Sequence, residues 1–289
     1  MSDPLVCAIM LVNGREAMVR RAIQSFCEQS YPHKALLLYD SGSPALPPHA
    51  NLKTHDSWLY VSHVLATGGK TIGRLRNEAI ELALQDKRKA DIFVTFDSDD
   101  WSHPQRIAEQ VALIQSSGAD CVGYRECAFW DSRKVQGGGI AGAWARGQAG
   151  EAWTYRAPDP RHIVGASMMY TRTTYERNKF RDINTGEDYH FAMRCNVVGV
   201  SGIEDLSGVT VNSPVIDVTR GGLFGGPADA HRRYVSGPPQ VSIGKGKSCE
   251  PRLICGIHGS NTADYSKLSR QTWRREPGLD EICRERMKL

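Results

Sequence analysis

Ile92-Phe93-Val94-Thr95-Phe96-Asp97-Ser98-Asp99-Asp100-Trp101 is a short apolar and β-branched run that ends on three carboxylates within four positions. Continuous rather than alternating hydrophobicity is expected of a strand buried on both faces. Carboxylates crowded at such a strand's end repel one another unless a cation sits among them. In open parallel sheets, ligands gather beyond the carboxyl ends of the strands. An Asp-x-Asp in that place suits Mg²⁺ or Mn²⁺, hard ions that take oxygen ligands and share them with substrate phosphates. A solvated turn before a helix is the competing reading, because Asp is also favoured near helix starts. The position directly after a buried strand favours the metal.

Outward from this run, Leu5 to Val12, Ala35 to Tyr39, Trp58 to Val64 and Cys121 to Tyr124 have the same character. Between them lie helix-period segments. Val19, Ala22, Ile23 and Phe26 with Met18 form one stripe, and Arg15, Glu16, Arg20, Arg21, Gln24 and Glu28 are expected to face away. Leu75, Ala79, Leu82 and Ala83 mark a second helix. Ile107, Val111 and Ile114 mark a third, opened by Ser102 and Gln105 as a capping box. Strand-to-helix units in series predict a mostly parallel sheet covered by helices, an α/β fold.

Beyond residue 125 the pattern loosens. Val135 to Gly150 is glycine-rich and reads as a connection, Val164 to Tyr170 as a strand, and Glu187 to about Val198 as a helix. Thr219 to Ser248 holds seven glycines and five basic residues against Asp229 alone, the composition of a lid or a disordered loop. The tail from Ser266 is highly charged, with Trp273, Leu279, Ile282 and Met287 as docking contacts. These features divide the chain into a main domain over 1–215, with halves of about 1–125 and about 126–215, and an irregular, loop-rich extension over 216–289.

With 40% hydrophobic and 24% charged residues, the chain is globular rather than disordered, collagenous or coiled-coil. A net charge of +4 falls short of an electrostatic nucleic-acid binder. The eight cysteines include no C-x-x-C pair, which disfavours a zinc site or a dithiol centre and is read as reduced thiols in a cytosol. No run approaches the length of a membrane span and the start lacks a signal-peptide pattern, so a cytoplasmic protein without an integral membrane segment is expected.

Other polar groups close predicted elements. Asp40 opens a Ser/Gly turn at Asp40-Ser41-Gly42-Ser43, as a ligand acceptor or as a plain Asx turn. Arg74 and Arg76 sit where a helix begins, where free N–H groups favour anions. Gly68-Gly69-Lys70-Thr71 imitates a P-loop, but the motif needs glycine at position 64, where the chain has Val64. Glu187 and Asp188 open a helix, where the dipole favours them in any case; beside a bound sugar donor, a carboxylate there suits a general base. His258 lies among small residues and is expected to be accessible, a candidate for completing a metal shell.

The order of these pieces resembles the family 2 glycosyltransferases of GT-A fold. The resemblance rests on Gln29-Ser30-Tyr31-Pro32, Asp40-Ser41-Gly42-Ser43, Arg76-Asn77, Asp97 to Asp100 and Glu187-Asp188, over roughly residues 5–200, with a weaker echo at His258 to Thr262. It implies a metal-dependent, inverting transfer from a nucleotide-diphosphate sugar, a UDP-sugar by preference, to an acceptor hydroxyl. Asp40 and Arg76 would contact the base, Asp97 the ribose or its surroundings, and Ser98 and Glu187 would border the donor. Asp99 would hold Mn²⁺ or Mg²⁺ with His258 as a further contact, and Asp188 would be the base. Asp182 is given no role, because Arg181 interrupts the Phe-Asp turn of relatives.

A sugar-1-phosphate nucleotidyltransferase is disfavoured, since Val12-Asn13-Gly14-Arg15 stands where its Gly-rich arginine signature would be. A non-catalytic nucleotide-sugar binding module is the other rival. The acceptor is expected to be a saccharide, with a hydroxylated base in DNA as the alternative.

Overall fold

A computed structural model describes residues 3–42, 58–62, 69–87, 89–132, 150–159, 162–203, 210–211, 241–242, 250–258 and 272–288. Strands β1 (Val6–Val12), β2 (Lys34–Asp40) and β3 (Trp58–Ser62), with β4 (Ile92–Thr95), form a parallel unit in the order β4-β1-β2-β3. Its register sets Ile9 opposite both Leu37 and Thr95.

Alternation along these strands feeds two cores. Ala8, Met10, Leu36, Leu38 and Val94 point to one face, which packs on helix α1 (Glu16–Cys27) through Val19, Ile23 and Phe26. Cys7, Ile9, Leu37 and Phe93 point to the other, against Leu75, Ala79 and Ile80 of α2 (Ile72–Leu84). Both helices thus bury the stripes their periodicity predicts, and burial at both faces explains why the strands do not alternate in polarity.

After β4 come a two-residue strand β5 (Trp101–Ser102), helix α3 (Arg106–Ser117) and the long β6 (Cys121–Asp131). The expected capping box is not formed: Ser102 belongs to β5, the N-cap is Gln105, and no side chain caps the helix. The Ser102 hydroxyl instead accepts from Arg106 Nη1 at 2.8 Å.

Strand β6 runs well past Tyr124 and changes partners at a bulge between Tyr124 and Glu126. Farther along come β7 (Glu151–Arg156), a 3₁₀ turn at Gly165–Ser167, β8 (Met169–Thr171), α4 (Arg172–Arg177), α5 (Glu187–Ala192) and β9 (Val197–Ser201). The expected strand over 164–170 is therefore a turn followed by a shorter strand, and the expected helix to Val198 stops at Ala192. β8 lies antiparallel between β4 and β6, so this half of the sheet is mixed. The short strands β10 (Thr210–Val211) and β11 (Val241–Ser242) pair antiparallel.

The tail contributes β12 (Leu253–Ile257), β13 (Trp273–Arg275) and α6 (Asp280–Arg286). β12 lies parallel to β6 and antiparallel to β5, and β13 pairs with β7, so both join the same sheet. Leu279, Cys283 and Met287 pack with Trp101, Trp130 and Ile254, and Trp273 packs in the main core. The glycine-rich connection at 135–149, Ser43, Gly68 and the last two residues of the run to Val64 lie outside the described residues. So do the 219–248 loop apart from β11, and Gly259 to Thr262. No described helix is long and apolar enough to cross a membrane.

Arg106 is fully buried and staples three elements. Its Nη2 donates to the carbonyls of Thr95 and Ala166, each at 2.8 Å, and its Nε reaches Gln110 Oε1 at 3.2 Å. Arg106→Leu would leave these acceptors without their donor, at about 1–3 kcal/mol per buried group. Urea unfolding should therefore show a loss of about 3–5 kcal/mol with an unchanged slope; a loss below ~1 kcal/mol would show that the staple carries little of the fold.

Candidate functional site

Beyond the carboxyl ends of β1 and β4 lies an open cleft of about 650 Å³. Its lining includes Arg15, Ser41, Arg76, Asp97, Ser98, Asp99, Gly165, Glu187, Asp188 and Gly256.

The three carboxylates of the β4 turn meet three different partners. Asp97 Oδ1 lies 3.4 Å from Arg76 Nη2, whose Nε is 3.3 Å from Glu187 Oε1. Arg76 is buried between the two acids, with its own charge reinforced: burial opposes protonation, but Asp97 and Glu187 overcome it. Burial pushes the Asp97 and Glu187 carboxyls up, and Arg76 offsets this only partly. Asn77, next along α2, exchanges two hydrogen bonds with the backbone of Phe180, at 2.9 and 3.0 Å. The Arg-Asn pair therefore holds the segment before α5 with one residue and its acids with the other.

Asp99 Oδ2 is 3.0 Å from Arg15 Nη1 and 2.7 Å from His258 Nε2, and these two nitrogens are 2.9 Å apart. Burial works against ionisation of Asp99, but the His258 contact and the Arg15 charge outweigh it and hold the carboxyl below its ordinary range. His258 follows β12 and is buried, not accessible as its small neighbours suggest. β12 passes close beneath the turn: a Cβ on Gly256 would come 2.7 Å from the Asp99 carbonyl oxygen, so only glycine fits there. An imidazole Nε2 carries either a proton or a lone pair, so it donates to Asp99 or accepts from Arg15, not both. A carboxylate oxygen and an imidazole nitrogen this close form a donor pair that could hold a divalent cation. Among the described residues no group of three or more His, Cys, Asp or Glu forms a metal shell. Asp99 and His258 are therefore the pair that could hold such an ion.

Asp100 also lines the cleft and accepts the Gly256 N–H at 3.0 Å. Arg21, expected on the outer face of α1, donates to the carbonyls of Asp99 at 2.7 Å and Met287 at 2.8 Å, clamping the tail to the turn. Arg15 also departs from expectation. It has φ 59° after Gly14, a left-handed conformation uncommon for a residue with a side chain, and this directs its guanidinium at Asp99. Sequence reasoning missed its role; the one signal was the Asn13-Gly14 turn that precedes it.

Across the cleft, Asp188 lies in the first turn of α5. The Tyr189 N–H donates to its Oδ1 at 2.7 Å. A Cβ on Gly165 would fall 1.6 Å from Asp188 Oδ2, so the carboxylate occupies space that only glycine leaves. Gly165 is fixed in turn by the Arg106 bond to Ala166.

Asp40 is buried at the end of β2, and its Oδ1 accepts from Gly42 N–H at 2.8 Å, an Asx turn beside the cleft-lining Ser41. The anion site expected at the start of α2 is not available. The N–H groups of Ile72 and Gly73 donate to Asn184 Oδ1 and the Ile183 carbonyl, and that of Arg74 to Thr71 Oγ1. Asp182, given no role from sequence, accepts from the Thr71 hydroxyl.

The Glycosyl transferase family 2 profile matches residues 7–191. The chain belongs to this family. None of the curated proteins matches the chain in sequence. Among solved structures, S. aureus TarS residues 1–349 share 17% identity at a TM-score of 0.46, with 68% of this chain and 58% of that chain covered. The same TarS segment in complex with UDP-GlcNAc shares 16% identity at a TM-score of 0.46, covering 68% of this chain and 56% of that chain. The chain thus spans little more than half the length of these TarS structures.

Burial, with the Asp99 and Asp97 charges behind it, pushes the Asp100 carboxyl well above its ordinary range despite the Gly256 N–H. Between the unfolded value of about 3.9 and the raised one, the folded chain binds the extra proton, so this group's contribution to stability falls as pH rises. Asp100→Asn keeps an oxygen for Gly256 and removes the titration. In EDTA, the variant should be the more stable at pH 7, with the advantage fading toward pH 4; a pH-independent difference would rule out a buried titrating carboxyl at Asp100.

Proposed function

We propose that this chain is a metal-dependent, inverting glycosyltransferase that moves a sugar from a nucleotide-diphosphate sugar, UDP-sugars first among them, to a hydroxyl of a saccharide acceptor. The observation that carries this is the cleft itself, which Asp99, in contact with His258, and Asp188 both line. Family membership supports the same reading.

Asp99 and His258 would hold Mn²⁺ or Mg²⁺, which supplies charge stabilisation to the departing diphosphate when bound. Arg15, already within hydrogen-bond reach of both ligands, is placed to turn its guanidinium onto the same phosphates. Asp97, Ser98, Glu187 and Arg76 line the donor floor, with Arg76 fixing both acids rather than standing free. Asp40, through its turn, sets the edge where Ser41 meets the nucleotide.

Asp188 acts as the base. With Oδ1 engaged by the Tyr189 amide and Oδ2 seated against Gly165, the carboxylate is held in place to take the proton from the acceptor hydroxyl. Attack from the face opposite the leaving group inverts the anomeric carbon. The segment from 216 on contributes to the site through His258.

Two substitutions test the assignment with UDP-sugars, Mn²⁺ and a saccharide panel. Asp188→Asn should lower transfer about a hundredfold to ten-thousandfold, while UDP affinity by calorimetry stays within about threefold. Unchanged transfer would remove Asp188 from the chemistry. Gly165→Ala should reproduce that loss by displacing the same carboxylate, at about 1–3 kcal/mol of stability from overpacking. If Gly165→Ala retains parental transfer rates, the position of Asp188 in the structure is not the reactive one.

A further inference from the structure

The proposed chemistry leaves one feature of the cleft unused. Tyr189 is 40% exposed, the one large hydrophobic side chain that reaches such exposure among the described residues. It is not a loose surface residue. Its ring meets that of His162 edge to face, with centroids 5.3 Å apart at 80°. His162 in turn meets Tyr155 at 6.3 Å, and Tyr155 packs on the buried Trp273 at 5.1 Å. A line of rings therefore runs from the core to the cleft mouth and fixes the outermost one. Tyr189 also follows the base directly, and its backbone amide holds Asp188 Oδ1 at 2.7 Å. Ring and base form one unit at the start of α5.

We infer, on the basis of the glycosyltransferase reading, that Tyr189 braced by His162 is the acceptor subsite, an aromatic platform that packs against the apolar C–H face of a pyranose and presents its hydroxyl to Asp188. An exposed ring beside polar groups matches the mixed character of a sugar, which has an apolar face and a rim of hydroxyls. The charges that bear on His162 are Asp188 and Asp159, both acidic, and burial lowers the imidazole's own affinity for a proton. A neutral platform in an acidic setting favours an uncharged saccharide over a phosphate polymer, whose backbone would be repelled. The donor ligands Asp99 and His258 belong to other elements, the β4 turn and β12, so a change at Tyr189 reports on the acceptor.

Saturation-transfer NMR on the full chain, with cellobiose, maltose and chitobiose as probes, reads binding without requiring turnover; transfer kinetics with UDP-sugar and Mn²⁺ read the same site in action. The expected result is transfer of saturation to sugar C–H protons in the parent protein and Tyr189→Phe, lost in Tyr189→Ala. Acceptor KM should rise about tenfold in Tyr189→Ala and about threefold in His162→Ala, with kcat within threefold and the UDP dissociation constant unchanged. Equal acceptor KM in Tyr189→Ala and parent overturns the inference, as does parallel loss of UDP affinity. Failure of all three sugars to bind, or binding of a thymidine oligonucleotide in their place, overturns it too. If the parent binds sugars through Tyr189 but neither binds UDP nor transfers, the glycosyltransferase reading falls and the saccharide platform stands.

Discussion

Three carboxylates in four residues, set at the end of a strand buried on both faces, are electrostatically unfavourable unless each is answered locally. Each answer comes from a different part of the chain. Asp97 is met by Arg76 from α2, Asp99 by Arg15 from the turn after β1 and by His258 after β12, and Asp100 by the Gly256 amide within β12. Arg21 adds a second tie, from α1 to the Asp99 carbonyl and on to Met287 beside the tail helix. Neutralising one short turn thus draws the N-terminal unit, the middle of the chain and the C-terminal strand to one place.

The contacts around Asp99 are not all compatible at once. A single imidazole nitrogen lies within hydrogen-bond distance of both a guanidinium donor and a carboxylate acceptor, and it can serve only one of them. Arg15 reaches this position through a backbone conformation that costs on the order of 1 kcal/mol for a residue with a side chain. Strain at that one residue, together with a contact triangle that cannot be fully satisfied, marks the part of the cleft with the most to gain from a bound anion or cation. Arg76 is the opposite case, buried and doubly paired, and it sets geometry without being able to move.

How far the sequence foretells this depends on whether a feature is local. β1, β2 and β4 with α1 and α2 are legible because the apolar period is written in contiguous residues, and the carboxylate turn is legible because it interrupts such a run. β12 is not, since five residues at Leu253–Ile257 could be a loop until β6 is seen to extend to Asp131 and offer an edge. The reach of β6 is hidden by Arg125 and Glu126, two charged residues at the bulge where its partners change. Gly186-Glu187-Asp188 reads correctly as a helix start, but the helix ends early because Cys195 and Val197 are needed in the core beside β6. Arg15 and Arg21 were invisible for a related reason: an arginine on a polar helix face looks solvated until its long-range acceptor is known.

The position of Asp188 depends on distant residues in the same way. Its carboxylate rests where Gly165 has no side chain; Gly165 belongs to a turn whose Ala166 carbonyl is held by Arg106; and Arg106 is oriented by Ser102 and Gln110 while also gripping Thr95, the last residue of β4. One buried guanidinium therefore spans the strand that carries the acidic turn and the turn that seats the opposing carboxylate. Arg106 bonds both through backbone carbonyls, and the Thr95 N–H donates to the Met168 carbonyl at 2.8 Å, so side-chain and backbone ties together join β4 to the turn that seats Asp188. A cleft whose two walls are carried by different elements keeps its shape only while such ties hold, and Arg106 supplies two of them from one buried side chain.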